Sequence, residues 1–401
     1  MAYPVDRRRL LTGAGAVAAG GAFTAASAPA ASGARSCTVV PPRPVAPVNQ
    51  VAAARHGLAY KAMPQEAVGV DVEPLITINS AADVAAKRSG LIAHVWKGAG
   101  LPAGQPSVNR GVSAPDFAAL TQVSRIDELT VPLRYGVRSR VFHVLPARSW
   151  NRRIAIYHNG HGEPFDTMLR TIQGLLNAGY SVLACAMPFF HWNTQQITAP
   201  DDPAKRVDIV GHVDLRLWES ASFSTLTFFL EPVAVALNHA ITTYRPSSVQ
   251  MIGLSGGGWT TTVYAAIDPR VTRSYPTAGS LPFHLRPGAP NALSSIGDWE
   301  QRRDTQPVFY GIAGYLDLYV MAAIGPGRRQ IQILNRFDSC CFAGVGHRSY
   351  APAVANRVDV IGGGHWEVLE DATHDQHTIS PYALSVILWD LAAVQDILSV
   401  P

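Results

Sequence analysis

The sequence predicts an α/β fold, a mostly parallel sheet with helices on both faces, preceded by an N-terminal extension. Three observations predict it. Short apolar runs bounded by turn residues alternate with amphipathic stretches through the second half of the chain, as strands and crossover helices do in a parallel sheet. The 401 residues are enough for one large domain with extensions, or for two domains. Hydrophobic residues make up 47% and charged residues only 15%, which argues against disorder throughout and for a sizeable core.

Taken in order, residues 1–34 read as a targeting segment. Arg7-Arg8-Arg9-Leu10-Leu11 opens a Gly/Ala-rich apolar run that closes on small residues at Ala28-Pro29-Ala30 and Ser32-Gly33-Ala34. This order resembles a bacterial twin-arginine export signal and implies a periplasmic or extracellular protein. Gly13, Gly15, Gly20 and Gly21 interrupt the run, so no stable membrane anchor is expected. Residues 35–124 form an extension: a Pro/Ala-rich linker to about residue 65, then a helix over 80–96 capped by Ser80. Residues 125–401 form the main domain, with an insertion near 188–222.

Within that domain, 126–134 and 140–145 read as a hairpin around Tyr135-Gly136-Val137. IAIYH at 154–158 is a strand, 165–178 an amphipathic helix ended by Gly179, and YSVLACAM at 180–187 a buried strand. A helix over 223–244 leads to a strand over 248–254. Further strands are expected at 271–278, 327–337 and, as VDVI, 358–361. Ser380 as N-cap and Pro381 in the first turn open the last helix.

The net charge is +4, and the arginines are scattered, which argues against nucleic acid or another polyanion as partner. The four cysteines fit no zinc template. Cys185 reads as a buried thiol. Cys340 and Cys341 are adjacent and could be bridged or free.

The most informative stretch is MIGLSGGGWT at 251–260. Gly253-Leu254-Ser255-Gly256-Gly257 matches G-x-S-x-G between a strand and a helix, the setting of a nucleophile elbow. The glycines clear space where the strand and helix backbones crowd Ser255. The backbone N–H of Gly256, at the helix N-terminus, can stabilise an oxyanion.

On these residues the chain from about Arg125 onward resembles the α/β-hydrolase family. The resemblance implies an eight-stranded, mostly parallel sheet and a Ser, acid, His triad in that chain order. The second oxyanion N–H should follow the strand ending in IAIYHNGHGEP. The slot Asn159-Gly160-His161 assigns it to His161, with His161-Gly162-Glu163 as an alternative register. The acid should follow the strand two past the elbow, which points to Asp338. Asp317 competes, and Asp298 and Asp304 are weaker. The base should lie between the last strand and the last helix. His377 is the first choice, His374 the second, and His365 is too near the strand.

This set implies a serine hydrolase cleaving a carboxylic ester, with a small-molecule or polymer-derived ester as substrate and no cofactor. The same machinery would serve a peptidase or amidase. A non-catalytic binding protein on the same scaffold, and a metal-dependent hydrolase, are the other classes. His158 and His161 sit three apart, and His374, Asp375 and His377 cluster, but neither set makes a convincing metal template, and no metal is expected. Phe189, Trp192 and Trp218 in the insertion are candidates for lining the substrate site, with Phe190 and Phe223 beside them.

Overall fold

A computed structural model describes residues 41–57, 67–162, 165–286 and 296–392. The export segment and Cys37 lie outside them, as do Glu163 and Pro164. From Pro41 onward the chain forms one compact unit.

The strands are β1 (Ser107–Asn109), β2 (Val123–Pro132), β3 (Arg138–Pro146), β4 (Arg153–His158), β5 (Ser181–Cys185), β6 (Gln196–Thr198), β7 (Arg206–Asp208), β8 (Ser248–Leu254), β9 (Val271–Thr277), β10 (Arg328–Asn335) and β11 (Gly364–Asp371). Nine of them form one sheet in the order β1-β2-β3-β5-β4-β8-β9-β10-β11. The first four neighbours pair antiparallel, and every pairing from β5 through β11 is parallel. Eight strands were expected. The additional one, β1, is three residues long and pairs on the edge of β2 from within the N-terminal extension. The hairpin β2–β3 turns where expected, with Tyr135 and Gly136 both at positive φ.

The helices are α1 (Gln50–His56), α2 (Ala81–Val95), α3 (Phe165–Asn177), α4 (Thr227–Tyr244), α5 (Gly256–Ile267), α6 (Pro307–Ile312), α7 (Tyr315–Ala323), α8 (Ala351–Ile361) and α9 (Pro381–Ala392). One apolar cluster lies between the sheet and α3 and α9, built on Met168, Ile172, Leu175, Ala383 and Ile387. The other lies between the opposite face and α2, α4, α5, α7 and α8. The central strands β4, β5 and β8 are buried along almost their whole length, as strands covered on both faces must be. Ser80 caps α2 by accepting from the Asp83 N–H, so this part of the extension folds as its sequence suggests.

Two expectations are corrected here. VDVI is not the last strand but the end of α8, where Val354 and Val358 are buried one turn apart and Val360 is exposed. Gly362 and Gly363, both at positive φ, then turn the chain into β11, which begins at Gly364. His365 therefore lies within the last strand. The Pro/Ala-rich segment is not wholly extended either: Asn49 caps α1 with its side chain.

Candidate active site

The site is built at the carboxyl ends of β8, β10 and β11. Ser255 stands between β8 and α5 with φ 58° and ψ −125°, a conformation that costs a non-glycine residue on the order of 1–3 kcal/mol. The turn is over-determined. The Ser255 N–H donates to Thr277 O of β9, and Ser255 O accepts from the Trp259 N–H. A Cβ on Gly160 would come 2.8 Å from Ser255 Cβ, and one on Gly256 would come 2.6 Å from the His161 ring. At Gly253, Gly257 and Gly258 a Cβ would run into neighbouring backbone. α5 is buried along its whole length, and Thr260, Thr261 and Thr262 return their hydroxyls to the carbonyls of Gly256, Gly257 and Gly258.

Asp338, fully buried, follows β10. Its Oδ1 accepts from the N–H groups of Cys340 (2.7 Å) and Cys341 (2.9 Å), and its Oδ2 from Asn335 Nδ2 (3.0 Å). Both oxygens face His377 Nδ1, at 3.0 and 2.9 Å. A carboxylate cannot donate, so Nδ1 carries the hydrogen and Nε2 is left as the basic nitrogen. Nε2 has no hydrogen-bond partner among the described residues. Ser255 and His377 line the same cavity of about 460 Å³, with His161, Phe190, His212, Asp298, Gln301, Phe342 and the Cys340–Cys341 disulfide.

The rival assignments go elsewhere. Asp317 accepts from the N–H and hydroxyl of Thr77 and pairs with Lys87 at a separate cavity. His374 Nε2 lies 3.3 Å from Asp371, away from the serine's cavity. Asp304 pairs with Arg302. Asp298 does reach the cavity, but as a neighbour of His161 Nδ1 at 3.4 Å. Neither Gly256 N–H nor His161 N–H has a hydrogen-bond partner among the described residues, which leaves both donors available.

The aromatic candidates are corrected. Phe189, Trp192 and Trp218 do not line this cavity. Phe189 packs on Phe228, Trp192 lies between Phe117 and Phe142, and Trp218 is buried with its Nε1–H donated to Thr198 O. Their apolar area fixes the insertion onto the core. The ring that reaches the cavity is Phe190.

The sequence reading missed His212, which lines the cavity, and Glu300, which lies behind the wall. His212 Nδ1 lies 2.9 Å from His161 Nε2 and 3.1 Å from Glu300 Oε2. Burial acts to lower the His161 pKa, but the hydrogen bond and charge of Glu300, aided by Asp298, raise it on balance. Burial likewise pushes the Glu300 carboxyl up, and the two histidines bring it well below the usual range. His158, read as a possible ligand beside His161, is buried with its Nδ1 on Asn159 O and is not part of this cluster. Burial lowers its pKa to about 4, so it is neutral at pH 7.

With the strand order, the Ser255 turn and the helix layers described, solved structures can be compared. No protein-family model matches the chain, and no curated protein does. An acetyl xylan esterase from Paenibacillus sp. R4 aligns at TM-score 0.51 and 14% identity, covering 82% of this chain and 99% of its own. Acetyl xylan esterase 1 from Thermoanaerobacterium sp. JW/SL YS485 aligns at TM-score 0.51 and 15% identity, covering 83% and 97%. The methylesterase BT1017 aligns at TM-score 0.51 and 14% identity, covering 87% of this chain and 68% of its own. The fold is that of an α/β-hydrolase. In this hydrolase fold Ser255 occupies the elbow after β8, and Asp338 and His377 follow the next strands but one and two. No helix among the described residues is long and apolar enough to cross a membrane.

Proposed function

We propose that this chain is an exported serine hydrolase that cleaves a carboxylic ester through an acyl-enzyme on Ser255. One observation carries the reading: a serine held at positive φ shares a cavity with a histidine whose other nitrogen is fixed by a buried carboxylate.

Asp338 sets the tautomer of His377 and stabilises the imidazolium that forms. His377 Nε2 takes the Ser255 Oγ proton as Oγ attacks the ester carbonyl. The N–H groups of Gly256 and His161 hold the oxygen that becomes negative. Collapse breaks the bond to the alkoxy group, which leaves with the proton from His377. Water, activated by the same nitrogen, then releases the acid and restores Ser255. The esterases among the structural neighbours favour an ester over an amide. The acetyl xylan esterases among them favour a short acyl group, and the cavity offers both polar side chains and the rings of Phe190 and Phe342 to the substrate.

The test is a panel of p-nitrophenyl esters from acetate to octanoate, with a matched anilide. Hydrolysis should be fastest for the short esters, slight for the anilide, and absent in Ser255→Ala of unchanged circular dichroism. Ester turnover at wild-type rate in that variant would end the proposal.

A further inference from the structure

A second cluster in the same cavity wall lends that mechanism no side chain, only the backbone N–H of His161. It consists of His161 after β4, His212 in the insertion, and Glu300 in the turn Trp299–Gln301. From these residues we propose a divalent transition-metal site, with zinc the best-suited ion, ligated by His161 Nε2, His212 Nδ1 and a Glu300 carboxylate oxygen. The proposal does not depend on the reaction assigned to Ser255.

The first argument is a count of hydrogens. His212 Nε2 lies 2.9 Å from Pro188 O, and a carbonyl only accepts, so Nε2 carries the ring hydrogen. In the neutral ring Nδ1 is then a bare lone pair. It faces two other acceptors, His161 Nε2 at 2.9 Å and Glu300 Oε2 at 3.1 Å. On the far side of the first ring, His161 Nδ1 lies 3.4 Å from the Asp298 carboxylate, an acceptor for the ring hydrogen when Nε2 binds a cation. In that tautomer His161 Nε2 is a second lone pair, 3.5 Å from Glu300 Oε1. With the hydrogen on Nδ1, three lone-pair groups lie within 4.8 Å of one another. A proton there can bridge only one pair at a time. A divalent ion satisfies all three.

The second argument is electrostatic. Glu300 is completely buried, and among the described residues it pairs with no lysine or arginine. Its other polar contact in this group is Gln301 Nε2, at 3.4 Å from Oε1. The rings of Phe190 and Phe229 pack edge-on against the histidines, with centroids 4.8–5.1 Å away. An isolated carboxylate in such a shell is costly unless a cation is bound beside it.

The third argument is size. The two ring nitrogens are 2.9 Å apart, one Glu300 oxygen lies 3.1 Å from His212 and the other 3.5 Å from His161, a spacing that an ion about 2.0–2.2 Å from each ligand can bridge. Two imidazoles and one carboxylate, with one side open to the cavity, suit zinc or a neighbouring first-row ion, and leave a position for water. The ligands lie 51 and 88 residues apart in sequence, so no local spacing announces them. A bound ion would tie the turn after β4, the insertion and the 299–301 turn into one wall. The other cluster of ligand-type side chains, Cys340, Cys341 and His377, serves as a control, since its cysteines are joined to each other.

The full-length protein is stripped with a chelator and given Co2+ or Zn2+, and bound metal is measured after gel filtration. One ion per chain is expected, with visible cobalt absorption and a raised Tm. Glu300→Gln and His212→Gln should each weaken binding at least 100-fold, while His377→Ala keeps the full equivalent. Copper EPR on the unaltered protein gives a reading independent of how the variants fold, and coupling to two imidazole nitrogens is expected. No stoichiometric ion, binding that survives both substitutions, loss of binding in His377→Ala, or a copper spectrum without nitrogen coupling would each overturn the site.

Discussion

Two histidine–carboxylate assemblies face one cavity, and they are built differently. In the first, Asp338 has three N–H donors besides His377, from Cys340, Cys341 and Asn335. Its charge is compensated before the histidine is counted, so it can orient one ring and leave Nε2 unpartnered. In the second, Glu300 faces two imidazoles at 3.1 and 3.5 Å, with Gln301 as its other side-chain partner among the described residues. There both rings turn inward toward the carboxylate. The comparison teaches that partner count decides what a buried carboxylate can do. One already satisfied by the backbone can hold a base in place, and one that is not must gather positive charge.

The largest effect should come from the first assembly. Ser255→Ala and His377→Ala should each lower kcat by on the order of 10⁶, and the double variant should be little worse, since such residues act as a unit. Steady-state rates on the preferred ester check this, and additive losses would break the comparison at its base. Asp338→Asn should cost about 10⁴, because it disturbs the tautomer and leaves the serine and base in place. Glu300→Gln belongs to the other assembly. It should cost about 3–5 kcal/mol of stability in urea denaturation, as expected when one partner of a buried charged set is removed. Equal kinetic losses in Asp338→Asn and Glu300→Gln, at equal stability, would erase the distinction.

Another buried histidine sharpens the contrast because among the described residues no carboxylate hydrogen-bonds it. Both ring nitrogens of His143 lack hydrogen-bond partners among the described residues, and burial, aided by the charge of His239, lowers its pKa to about 3. The unfolded chain takes up this proton near pH 6.5 and the folded chain only near 3, so protonation favours unfolding. Stability should therefore fall as pH drops through that interval, and His143→Phe should flatten part of the slope. An unchanged slope in urea titrations would place the histidine in contact with a counter-charge. The smallest effect is reserved for His374→Ala, whose kcat should stay within a few-fold of wild type.

The grouping of Ser255, Asp338 and His377 was legible in the sequence because each of them sits about one turn or less from a strand or helix end with a clear signal. Ser255 follows β8 within a run of glycines, Asp338 follows IQILN, and His377 precedes the helix capped by Ser380. The Glu300 assembly was not legible, because its members converge only through folding and each looks ordinary in its own segment. VDVI was misread because β-branched residues suit a strand by composition, whereas Val354 and Val358 already showed the four-residue spacing of a helix. The tryptophans were misassigned for a related reason. A large ring in an insertion can face a cavity or anchor the insertion, and the packing of Phe117 and Phe142 around Trp192 decides for the second.

The central claim is that Ser255 is the covalent nucleophile, and a direct measurement is the mass of the protein after reaction with a fluorophosphonate. One adduct per chain is predicted, mapped to the peptide that contains Ser255, and slowed strongly by His377→Ala. An adduct on another residue, or full labelling of Ser255→Ala, would contradict the account.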